Sequence, residues 1–145
     1  PDADPLAVTA GETDTSMPRL VPDKLYNMEI IDAVAKQNDE GTGMLKITLK
    51  TVKDENDVTG KTLNKGFPLF YNWVYTPVGD LTIDMIKRSG AGILKACGLP
   101  KAAISELRDN PSVIKGKIVC VKVGTRKASG GYPEQSEVKT WVELK

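Results

Sequence analysis

Between Phe67 and Tyr75 the chain concentrates aromatic rings: FPLFYNWVY holds Phe67, Phe70, Tyr71, Trp73 and Tyr75, including one of only two tryptophans. Lys46 and Lys50 lie in an alternating stretch upstream, and Lys61 and Lys65 stand just before the cluster. Flat rings hold unpaired nucleobases by stacking, at about 1–3 kcal/mol per base, while cationic side chains track the phosphates. A second set follows in KVGTRKASGGY, which reads as the loop between the last two strands, where Lys122, Arg126 and Lys127 suit phosphate and Tyr132 suits a base. Trp141 shares its strand parity with Glu137, Lys139 and Glu143, so its indole is expected to be partly exposed. Each ring also has an ordinary use as core filling. Successive strand residues face opposite sides, so Tyr71 and Trp73 share one side and Phe70 takes the other. The sequence leaves open which side meets solvent.

Other chemistries find little support. The chain has no histidine, which removes the commonest general base and every His-dependent nucleophile. Two cysteines, Cys97 and Cys120, cannot supply a zinc site without histidine. Far apart, in contexts that read as a helix end and a buried strand, they are expected as buried thiols, with a disulfide as the alternative. Gly60–Lys61–Thr62 ends like a phosphate loop, but Glu55 stands where the pattern needs glycine. Gly90–Ala91–Gly92 lacks the third glycine of a dinucleotide fingerprint. The chain is expected to be no enzyme and to use no cofactor or metal. No apolar run reaches membrane-spanning length, and no basic segment followed by an apolar one suggests a signal peptide.

The net charge of +1 conceals an asymmetry. Residues 1–18 carry Asp2, Asp4, Glu12 and Asp14 and no lysine or arginine; the rest carries 20 basic against 15 acidic side chains. With Pro1, Pro5, Pro18 and Pro22 and few large apolar groups, residues 1–22 read as a flexible acidic arm. Residues 23–145 read as one domain, of mildly basic character.

The elements that must position the rings follow from periodicity. A long, bent first strand is expected over about 24–34, then a turn in QNDEGTG. Over Met44–Lys53, Leu45, Ile47 and Leu49 alternate with Lys46, Thr48 and Lys50, which is the clearest strand signal. A polar loop, DENDVTG, leads towards a third strand over Phe67–Tyr75. From Leu81 to Cys97 the period changes: Leu81, Met85, Ile86, Ile93 and Leu94 fit one helical face. Asp80 or Thr82 suits its cap and Gly98 its stop, while Gly90 and Gly92 weaken the middle. Pro100–Asn110 is a second short helix candidate. Strands over Lys117–Thr125 and Ser136–Leu144 complete the chain, the last with Val138, Thr140, Val142 and Leu144 on one side. Three strands, a helix and two strands is the order of the five-stranded OB-fold barrel, whose second and third strands line the ligand face.

Several short signals also resemble a group of small phage-encoded proteins, some of them OB-fold single-stranded DNA-binding proteins of replication. They are Leu20–Tyr26 before the first strand, Gly43 leading into Val52–Lys53, the loop Val58–Lys61, Cys97–Gly98–Leu99 closing the helix, and Lys115–Gly116–Lys117 before a strand. The likeness covers about residues 18–144. It implies sequence-tolerant binding of single-stranded DNA in the cytoplasm of an infected host. Such proteins often end in an acidic tail, whereas this chain ends WVELK and carries its acidic stretch at the other end. The alternative is a virion structural protein, a capsid cement or decoration protein. Its arm would lie on a neighbouring copy or another phage protein.

Overall fold

The computed structural model describes residues 4–12, 18–128 and 134–143. Strand β2 (Gly43–Thr51) shows the alternation in full: Leu45, Ile47, Leu49 and Thr51 point inward, while Lys46, Thr48 and Lys50 stay at the surface. It pairs antiparallel with β1 (Leu25–Gln37) on one side and β5 (Pro68–Val74) on the other. The early part of β1 also pairs with β6 (Ile118–Arg126), which in turn pairs with β7 (Gln135–Trp141). The result is mainly β: one antiparallel sheet of five strands in the order β5-β2-β1-β6-β7. A register shift between Ile30 and Asp32 bends β1, as an extra residue in one strand does. The bend lets one strand serve two neighbours.

No backbone ladder joins β5 to β7 among the described residues, so a closed barrel is not found and these two strands are the sheet's edges. Met28, Ile30, Leu45, Ile47, Leu49, Val119, Val121 and Val123 are buried in the core against the sheet. Helix α1 (Ile83–Ala96) covers the core with Ile86, Ile93, Leu94 and Ala96. Thr82 caps it by accepting from the Met85 amide, and Gly98 turns the chain away with φ +76°. The helix runs unbroken through Gly90. Glycine is required at this position because a Cβ there would lie 2.8 Å from the Trp73 ring. Helix α2 (Ile104–Asp109) adds Leu107, and a short 3-10 turn over Pro111–Ile114 adds Ile114.

Three expectations need correction. The polar loop after β2 contains a small hairpin, β3 (Glu55–Asn56) with β4 (Thr62–Leu63). The expected arm over residues 1–22 is anchored near its end: Leu20 is only 1% exposed, bridges Asp57, and donates its amide to Ser136 Oγ at 2.8 Å. A buried leucine contributes about 1.5–3 kcal/mol, enough to fasten this segment. Lys122 lies within β6 rather than in the following loop, opposite Leu25 and Thr140. Cys97 is buried, Cys120 half-buried, and both are free thiols. No described helix is long and apolar enough to cross a membrane.

Candidate nucleic-acid interface

The strand parity that buries Leu69 and Trp73 turns Phe70 and Asn72 outward. In the β2–β5 register Thr48 opposes Phe70, Lys46 opposes Asn72 and Lys50 opposes Pro68. Inward packing of Leu45, Ile47 and Leu49 thus forces two lysines and one phenylalanine onto a single outer surface. Phe70 is 56% exposed, unusual for so large an apolar ring. The Lys46 ammonium stands 5.2 Å from its ring centroid. Lys50 makes a 3.8 Å ion pair with Glu29 across the sheet, a surface contact worth little on its own.

An exposed cation–π contact of this kind gives about 0.5–1 kcal/mol, less than the about 1–3 kcal/mol that an exposed ring can offer a flat base by stacking.

The remaining rings go elsewhere. Trp73 is corrected to a core residue: it is 2% exposed, and its indole N–H donates to Ile86 O at 3.2 Å and Ser89 Oγ at 3.0 Å. Tyr75 packs obliquely on Trp73, ring centroids 5.6 Å apart, and over Gly43, where a Cβ would lie 2.5 Å from the ring. Tyr71 and Trp141 meet edge to face at 5.4 Å. Trp141 does not lie on the face of Glu137 and Lys139. A register shift in the β6–β7 ladder, after Val123↔Val138, pairs Trp141 with Val121 and turns it towards the core beside Val138. Burial raises the Tyr71 hydroxyl above its ordinary pKa. The Trp141 indole nitrogen is itself buried without a hydrogen-bond partner among the described residues.

The other candidates are spread more widely. Lys61 and Lys65 are exposed around the β3–β4 hairpin, where Asp57 and Asp54 carboxylates accept from their backbone amides. Lys127 is exposed just past β6, and Tyr132 lies outside the described residues. Arg126, at the end of β6, lines a cleft of about 430 Å³ between β5 and β7, together with Phe70, Asn72, Gln135 and Glu137. Sequence reasoning missed Asn72, Gln135 and Glu137. Asn72 was detectable from its shared parity with Phe70; the cleft depends on two edges that are distant in sequence. Compared with known proteins, the chain matches no protein-family model and no curated protein.

Proposed function

We propose that the chain is an OB-type single-stranded DNA-binding protein, of the kind phage replication uses, binding with little sequence preference through the outer face of β2 and β5. The observation that carries the reading is Phe70, exposed on that face with Lys46 over its ring and Lys50 four residues further along β2. The strand order supports it. The first long strand pairs with the second and the fourth, the helix falls between the third and the fourth, and the third and fifth are the edges. A partly open five-stranded barrel whose second and third strands take the ligand would carry such an order. Catalysis has no part in the proposal. The test is anisotropy of labelled oligo-dT at two salt concentrations: binding weakens with salt, with a slope of about −0.7 per neutralised phosphate. No binding at low salt overturns the reading.

One observation favours the virion role as a second reading. Leu6 and Val8 stand exposed in the acidic N-terminal segment, at 86% and 62%, and exposed apolar groups of this kind suit a contact with a neighbouring protein. Mass spectrometry of purified particles separates the two: many copies per particle favour a structural protein, and absence favours replication.

A further inference from the structure

The cleft between the two sheet edges is continuous with the proposed interface, because Phe70 and Asn72 belong to both. Its far wall carries different chemistry. Arg126, Gln135 and Glu137 stand there, and none of these three side chains, nor that of Asn72, is held by a hydrogen bond or ion pair among the described residues. The cleft's volume, about 430 Å³, falls within the usual range for small-ligand pockets.

A carboxylate on a surface that tracks phosphates is repulsive unless something nearby donates to it. Nucleobases supply such a donor: cytosine offers N4–H₂ and adenine N6–H₂, read by carboxylate and amide groups respectively, while thymine places the O4 carbonyl at the amine's position and, unpaired, donates only through its ring N3–H. Single-stranded bases are read this way, stacked on a ring or guanidinium and hydrogen-bonded along one edge.

We propose that the β5–β7 cleft takes one base bearing an exocyclic amine from a strand lying on the adjacent β2–β5 face, with Glu137, Gln135 and Asn72 reading the amine and Arg126 holding the neighbouring phosphate. This rests on the interface reading above and adds a local base preference to it. The strand stays bound elsewhere by sequence-tolerant contacts, so the preference concerns one nucleotide.

The experiment compares short labelled oligo-dT, oligo-dC and oligo-dA by anisotropy, with the wild-type chain and with the double variant Asn72→Ala, Glu137→Ala. Both altered side chains are exposed, and a thermal melt by circular dichroism checks that the variant folds. The wild type is expected to bind dC and dA about tenfold more tightly than dT, the lower range for one good base-edge contact. In the variant that ratio falls to about one. Equal affinity of the wild type for all three oligonucleotides overturns the cleft proposal and leaves the interface reading standing. A preference that survives unchanged in the variant also overturns it. Failure of every oligonucleotide to bind overturns the interface reading itself, a result distinct from either of these.

Discussion

Tyr71 and Trp141 join the two strands that no ladder joins: their rings meet at 5.4 Å and 81°, one on β5 and one on β7. Edge-to-face pairs contribute about 0.5–1.5 kcal/mol beyond the area they bury. Trp141→Ala is expected to destabilise the chain by about 2–3 kcal/mol, just below the range for fully buried tryptophans because this ring is only partly buried. Urea unfolding reads the loss, and amide exchange in β7 should quicken with it. Trp141→Phe should recover most of the stability, since it keeps a ring and removes the unpartnered indole N–H.

Gly90→Ala inverts the usual helix rule. Alanine favours a helix over glycine by about 0.8–1 kcal/mol, yet a Cβ here would lie 2.8 Å from Trp73 and 2.9 Å from Ile104. Both neighbours are held by packing, so the overpacking cost of about 1–3 kcal/mol prevails. Thermal melting should show a lower midpoint for Gly90→Ala. Gly92→Ala provides the control: nothing lies within 4 Å of a Cβ there, and its midpoint should rise slightly.

These two sites also mark what the sequence discloses. Alternation in β2 is legible because Lys46, Thr48 and Lys50 interleave with Leu45, Ile47 and Leu49; in β5 alternation puts Phe70 and Trp73 on opposite sides, and only the pairing with β2 decides that Phe70 is the outward one. The parity of β7 is not legible. Its register shifts against β6 between Lys122 and Val123, which turns Trp141 to the side opposite the one alternation assigns. Nothing local signals such a shift, since it satisfies a partner strand. Leu20 was hidden for a similar reason: it sits in a proline-bearing polar context and is buried only because the β3–β4 hairpin and β7 come to meet it. Burial of Trp73 depends on Gly90, seventeen residues away, and that closeness exists only once α1 lies across the core.

Alkaline pH should unfold the chain earlier than its composition suggests. Burial pushes the Cys97 thiol from an ordinary value near 9 up to about 11, against the weaker pull of Lys117. The unfolded chain therefore releases this proton first. Stability is intact below about pH 9 and falls as pH rises through the folded value, by about 3 kcal/mol in total. Tyr26 and Tyr71, both raised by burial, act with the same sign at still higher pH. Urea midpoints at about pH 8 and about pH 10.5 measure the effect. Cys97→Ala should lose some stability at the lower pH and show a flatter decline between the two.

The strongest discrimination lies between Phe70 and Trp73, three residues apart on opposite sides of β5. If bases stack on the outer face, Phe70→Ala should weaken oligo-dT binding by about 1–3 kcal/mol, roughly ten- to a hundredfold, with stability nearly unchanged. The salt slope should be unaltered, because no charge is lost. Lys46→Ala should do the reverse, weakening binding modestly and reducing the slope by about 0.7. Trp73→Phe removes the hydrogen bonds to Ile86 O and Ser89 Oγ. It should destabilise the fold by about 1–3 kcal/mol while leaving the affinity of the folded fraction intact. Anisotropy titrations of the three variants, each at two salt concentrations, give all these quantities. Equal binding by Phe70→Ala and wild type would mean that the exposed ring does not carry the strand, because no other aromatic on this face of β5 shares its exposure.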